Sequence, residues 1–140
     1  MTTRIGMMMG DPAGVGAELT ARVLAGGSMS AETGVVIVGD PAHLRRGQSV
    51  VGTNITVEEL SGANDVAIET GTVSLLPQAL DGAADYPYSE SRPEGGRYML
   101  DCFETLLSLY KEKRIDSICF APLNKHSLKI GGMGTADEGD

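Results

Sequence analysis

The stretch TGVVIVGD, Thr33 to Asp40, decides the fold. Its centre is an unbroken β-branched run that Gly-Asp-Pro closes. A strand with one wet face alternates apolar and polar residues, whereas an unbroken run fits a strand covered on both faces, as in a parallel sheet. Upstream, MMMGDPAGVGAELTARVL, Met7 to Leu24, places a glycine-rich turn between two apolar segments. Ile5–Met9 reads as a short buried strand and Ala17–Leu24 as a helix. Downstream, Pro41–Arg45 opens a short helix, because proline suits the first helical turn. NITVEEL, Asn54–Leu60, and DVAIE, Asp65–Glu69, read as further strands of imperfect alternation.

LDGAADYPYSESRPEGG, Leu80–Gly96, is the most irregular piece and reads as a surface loop, either functional or a plain connection. From Arg97 to Arg114 the period turns helical. Met99, Cys102, Phe103, Leu106, Leu107 and Tyr110 recur at three and four residues and predict one buried stripe. Lys111, Lys113 and Arg114 suit the negative end of that helix. DSICFA, Asp116–Ala121, reads as another buried strand that stops at PLNK. Strands alternating with helices imply an α/β fold, a mostly parallel sheet with flanking helices. Ligands of such sheets gather beyond the carboxyl ends of the strands, where GDPAGVG and APLNK both fall, so the two motifs are expected to open onto one crevice.

The 140 residues suit one domain. Apolar residues make up 41%, charged residues 21%, and glycines number 19, which fits a folded, loop-rich protein. A net charge of −8 argues against nucleic-acid binding, since phosphate backbones need Lys/Arg clusters. No run approaches the ~20 apolar residues of a membrane span, and Met1–Met9 is too short for a signal peptide, so a soluble, cytoplasmic chain is expected. Cys102 and Cys119 lie far apart in apolar segments and read as buried free thiols.

The glycines at 10, 14 and 16 match neither a P-loop nor the G-x-G-x-x-G dinucleotide fingerprint. A strand, glycine turn and helix still present backbone N–H groups to a ligand. Asp11 either caps this turn beside Pro12 or accepts from a ligand hydroxyl. Glu18 is favoured in a first helical turn by the dipole alone. The methionines Met7–Met9 read as core filler. His43, on an expected surface turn, and His126 have no ligand-spaced partner and are not read as metal ligands. Asn124 and Lys125 offer a two-way hydrogen bonder and a point charge at the crevice edge, or simply a solvated helix start.

MGDPAGVGAEL resembles the N-terminal signature of the 4-hydroxythreonine-4-phosphate dehydrogenase (PdxA) family, of the form GDPAGIGPE. FAPLNK, after a helix beginning EGGRYMLDCFETL, is similar to that family's strand and PLNK segment. APLNKHSLKIGGM leans toward the branch acting on threonate or erythronate 4-phosphate. The resemblance implies an isocitrate/isopropylmalate dehydrogenase-like two-domain fold, working as a homodimer in pyridoxine biosynthesis. It implies NAD-dependent oxidation of a 4-phosphorylated hydroxy acid, then decarboxylation, with a divalent metal (Zn, Mg or Co) as Lewis acid. Asp11, Gly14, Gly16, Asn124 and Lys125 would line the substrate cleft.

After PLNK the family reaches a Gly-His-Thr-Glu stretch, where this chain reads GGMGTADEGD. Thr135 stands near the family threonine, and the histidine has no counterpart. The family's metal-binding histidines and NAD-contacting segments lie further downstream. Residues 1–140 are therefore expected to be an N-terminal α/β portion of a longer fold, its second half absent, and to be inactive alone. The alternative is a non-catalytic module that binds a small phosphorylated acid or a partner subunit.

Overall fold

The computed structural model describes residues 3–26, 31–62 and 68–121. Its elements run β1 (Thr3–Met8), α1 (Gly16–Ala25), β2 (Thr33–Gly39), α2 (Pro41–Val51), β3 (Glu58–Glu59), β4 (Val73–Pro77), α3 (Pro93–Lys111) and β5 (Ser117–Phe120). A single 3₁₀ turn, Ala83–Asp85, lies between β4 and α3. The strands form one sheet in the order β3-β4-β2-β1-β5, and every neighbouring pair is parallel.

β2 sits at the centre, and its unbroken apolar run is explained by burial on both faces. Val35 and Ile37 join Met9, Ala17, Leu44 and Leu75 in one core, against α1 and α2. Val36 and Val38 point the other way, into a core with Met8, Tyr98, Met99, Cys102 and Leu106 from β1 and α3. The twofold side-chain alternation of a strand therefore divides four consecutive apolar residues between two cores.

α2 starts as its sequence predicts and runs further. Proline occupies the first helical turn, and the Asp40 carboxylate caps it by accepting from the Ala42 N–H at 2.8 Å. β5 is tied to β1 at its start by Asp116, which accepts from the Arg4 backbone N–H at 2.8 Å and from its guanidinium. These bonds from Arg4 hold the Asp116 carboxyl below its ordinary range.

Several expectations need correction. NITVEEL contributes only the two-residue β3. Residues 63–67 of the DVAIE region lie outside the described residues, and Ile68 and Glu69 are not in a strand. β4 was not anticipated, because Ser74 interrupts its short apolar run; here Ser74 is buried between two paired neighbours. Leu80–Gly96 is more than a surface loop. Leu80, Ala83 and Tyr86 anchor it in the core, and α3 begins within it at Pro93.

On α3 the buried line passes through Tyr98, Met99, Cys102, Leu106 and Leu109, while Phe103 and Leu107 are half-buried and Tyr110 is exposed. The face is turned toward Tyr98 and Leu109 because the 3–4–3 spacing from Met99 follows the sheet. Cys102 is a buried thiol, pushed up to about 12 by that burial. Cys119 is exposed. It lies on β5, an edge strand among the described residues, whose alternate face has no helix of its own to cover it as β2 has.

Gly16 opens α1 where only hydrogen fits, since a Cβ there would overlap the Met9 carbonyl. Gly16→Ala is expected to cost about 3 kcal/mol or more, because the obstacle is backbone rather than a movable side chain. A denaturant midpoint close to that of the wild type would contradict this close approach.

Candidate functional site

Chain direction in the sheet reverses beside β1. From β1 the chain passes by α1 to β2 and on to β4, then returns by α3 on the opposite face to β5, on the other side of β1. Such a switch point leaves a crevice beyond the carboxyl ends of the two strands, because their helices leave on opposite faces. Here the switch point falls between β1 and β5. The Ala121 N–H donates to the Met8 carbonyl at 3.2 Å, and a Cβ on Gly16 would meet the Ala121 side chain. The glycine turn and the end of β5 are thus brought together; of APLNK only Ala121 is among the described residues. Asn124, Lys125 and Thr135, like His126, lie outside the described residues.

The turn is held by local bonds. Gly10 takes the left-handed conformation, φ 80°. Asp11 Oδ1 accepts from the Ala13 N–H at 2.8 Å, and the Asp11 carbonyl accepts from Gly14 N–H at 2.9 Å, an Asx turn continued by a β-turn. Asp11 is buried, and its Oδ2 has no hydrogen-bond partner among the described residues. The equally buried Tyr86 hydroxyl lies near it, against the backbone of Gly95 at the start of α3. Burial first, then the Asp11 charge, pushes the Tyr86 phenol above its ordinary range. Of the two roles open to Asp11, the structure shows the turn brace.

A second polar group flanks the turn. Asp40, at the end of β2, caps α2 with Oδ1 and accepts from Leu80 N–H with Oδ2 at 2.8 Å. Its own N–H donates to the Tyr98 hydroxyl at 2.8 Å. That oxygen lies 3.2 Å from His43 Nδ1. The Tyr98 hydroxyl has a proton to give and a second lone pair, so it pairs with Nδ1 in either tautomer of His43; where Tyr98 donates, the His43 proton sits on Nε2.

His43 is buried rather than on a surface turn, because α2 runs a full three turns and turns this residue inward. Burial, with the Arg46 charge second, lowers it to about 4, against the opposing pull of Glu18 and Asp40. Glu18, in the first turn of α1, accepts from the Tyr88 hydroxyl at 2.7 Å through Oε1. Arg46 Nε donates to the same hydroxyl at 3.0 Å, and its guanidinium lies 3.8 Å from the Tyr88 ring centroid. The sequence reading missed Arg46 and Tyr88. The only signal for Arg46 was its position three residues after His43 on one helix face. Tyr88 had none, since its partners lie 70 and 42 residues away.

Among the described residues, no group of three His, Cys, Asp or Glu side chains is placed to hold a metal ion.

The fold defines an open α/β protein whose glycine turn lies at a topological switch point of a parallel sheet. The chain belongs to the family described as pyridoxal phosphate biosynthetic protein PdxA, whose model matches residues 31–139. It is 36% identical over 135 residues to a putative 4-hydroxythreonine-4-phosphate dehydrogenase 2 of Pseudomonas aeruginosa, covering 96% of this chain and 40% of that protein. It is 29% identical to a D-threonate 4-phosphate dehydrogenase of Cupriavidus necator, covering 91% and 38%. The crystal structure of a 4-hydroxythreonine-4-phosphate dehydrogenase from Burkholderia phymatum superposes with a TM-score of 0.83 at 32% identity, over 94% of this chain and 40% of that one. The chain therefore spans about 40% of the length of these relatives.

Two outcomes are expected. Asp11→Ala removes the acceptor of the Ala13 N–H and costs roughly 1–2 kcal/mol, whereas Asp11→Asn keeps it and stays within about 0.5 kcal/mol of the wild type. Equal losses in the two variants, read from urea midpoints, would exclude the turn-brace role. For His43 the folded value lies below the unfolded one, so protons favour the unfolded chain, and stability falls as pH drops from 6.5 toward 4. Between pH 7 and pH 5 the loss is on the order of 2 kcal/mol, above the range where most carboxylates titrate. His43→Gln should flatten that dependence in urea melts; an unchanged slope would show that another group causes it.

Proposed function

We propose that residues 1–140 form an N-terminal α/β portion of the family fold and supply one wall of a dehydrogenase's substrate cleft. The substrate class is a 4-phosphorylated hydroxy acid, either 4-hydroxythreonine-4-phosphate or threonate/erythronate 4-phosphate. The reaction is NAD-dependent oxidation of its secondary alcohol, followed by loss of the carboxylate as carbon dioxide. The observation that carries this reading is the switch point, where the turn bearing Asp11, Gly14 and Gly16 meets the end of β5. Relatives named as dehydrogenases of such phosphates support the substrate class.

No group of three His, Cys, Asp or Glu among the described residues is placed to hold a metal ion. On this reading the metal and NAD are held by the remaining part of the family fold, and the metal, when bound, supplies Lewis-acid polarisation. This chain's own contribution is positional. The Asx turn fixes the wall, and Asn124, Lys125 and Thr135 bind the phosphate or carboxylate at its rim. The homodimer belongs to the same proposal. An outward-facing stripe on α1, Val15, Leu19 and Val23, supports an apolar contact with further protein. A cytoplasmic location is likewise proposed; no helix among the described residues is long and apolar enough to cross a membrane.

The test begins with the intact mass of the protein as its source makes it. That protein is then supplied with NAD, a divalent metal and either D-threonate 4-phosphate or 4-hydroxythreonine-4-phosphate. The expected result is substrate-dependent NADH formation, abolished by chelation, while the 140-residue chain alone forms none. Failure of the source protein to reduce NAD with either phosphate and any of zinc, magnesium or cobalt would overturn the proposal.

A further inference from the structure

Glu18, His43 and Arg46 line one small cleft, with Gly14 and Ala17 behind them and Tyr88 in front. Each of the three keeps a buried polar atom without a hydrogen-bond partner among the described residues: Glu18 Oε2, His43 Nε2 and Arg46 Nη1. The His43 side chain is buried to within 2% exposure, so water does not reach its ring nitrogen. Left unpaired, such atoms cost the full penalty of desolvation, on the order of 1–3 kcal/mol each. The cleft is too tight for a water-sized sphere while Tyr88 is in place. Whatever pairs with these atoms must displace that side chain.

The unpaired set has a defined chemistry. Glu18 Oε2 is an acceptor, Arg46 Nη1 is a donor, and His43 Nε2 is a donor in the tautomer whose Nδ1 accepts from Tyr98. One donor facing an acceptor and two lone pairs facing two donors is the inventory of a hydroxyl group. The charges of Glu18 and Arg46 oppose one another and His43 is neutral, so the cleft has no net charge to attract an anion. A carboxylate or phosphate would also set its oxygens against Glu18 Oε2. The structure already holds one hydroxyl in this way: the Tyr88 phenol donates to Glu18 Oε1 and accepts from Arg46 Nε. The plug is held by these two bonds and by the Arg46 guanidinium over its ring, and its outer side is open to solvent. Tyr88 is 46% exposed, and Ser89 beside it takes the left-handed conformation at φ 59°, which a residue with a Cβ adopts at a cost.

We propose that this cleft is a recognition site for the hydroxyl group of a neutral polyol, and that the Tyr88 phenol occupies its outer half until such a ligand displaces it. The cleft shares Gly14 with the turn of the dehydrogenase reading but does not depend on that reading, and it needs neither cofactor nor metal. Its test is a titration of the ¹⁵N-labelled 140-residue chain with glycerol, read at His43 Nε2 in long-range ¹H–¹⁵N spectra. 1,2-Dimethoxyethane, of similar size but without a hydroxyl, is the control.

Glycerol is expected to shift His43 Nε2 saturably and the ether is not. In Tyr88→Ala the glycerol midpoint should fall by roughly tenfold or more, since a ligand no longer competes with the Tyr88 hydroxyl. Absence of a saturable glycerol response in the wild-type chain and in a folded Tyr88→Ala variant would overturn the proposal. So would an equal response to the ether. A resonance that moves on Tyr88→Ala and then ignores glycerol would show that the opened cleft takes water alone, which also overturns it. Should Tyr88→Ala not fold, the wild-type titration against the ether decides.

Discussion

Burial of β2 on both faces is the constraint on which the rest of the structure depends. Val36, Ile37 and Val38 are wholly buried, and Val35 is 2% exposed. At roughly 1.5–3 kcal/mol for each side chain taken from water, these four residues outweigh any single polar contact in the molecule. They also demand cover on two sides. α1 and α2 meet that demand on one face and α3 on the other, so the chain must cross from one side of the sheet to the other after β4. That crossing returns β5 to the far side of β1 and creates the switch point. The candidate site is thus a consequence of how the central strand is covered.

At the end of β2, Asp40 converts this packing into a positioned set of polar groups. One carboxylate oxygen starts α2, the other holds the Leu80 N–H, and its own N–H reaches the Tyr98 hydroxyl on α3. Strand, helix, loop and opposite helix are therefore joined through one residue. His43 sits one turn into α2 and is pressed against Tyr98, with ring centroids 5.7 Å apart in an edge-on arrangement. Its burial keeps it neutral, so it acts as a hydrogen-bonding ring and not as a charge. The same placement directs its second nitrogen toward Glu18 and Arg46, and so links the core of the sheet to the polar cleft under Tyr88.

Strand–turn–helix order and the parallel class were legible because each rests on local signals. An unbroken β-branched run, Gly-Asp-Pro at its end and a glycine turn after Met9 depend only on near neighbours in the chain. Proline at the start of α2 and Asp40 before it are signals of the same kind. The exposed faces were less legible. Cys119 and Phe120 read as buried because apolar residues do not reveal whether a strand lies at the centre of a sheet or at its edge. β4 escaped notice for the converse reason, since Ser74 breaks the pattern while its backbone is satisfied by pairing on both sides. On α3 the spacing located the stripe to within one row, and the sheet chose which row faced inward.

Sequence by itself determined the class of fold, the two motifs at strand ends and the family, because hydrophobic period and turn chemistry act over a few residues. Tertiary structure alone decided that His43 is buried and that Glu18, Arg46 and Tyr88 share a hydroxyl. Those side chains come from α1, α2 and the loop before α3, and no local pattern links them. Whether a polar residue faces water or another polar residue is settled only when distant elements pack. The donors and acceptors left over after packing define what else the protein can hold.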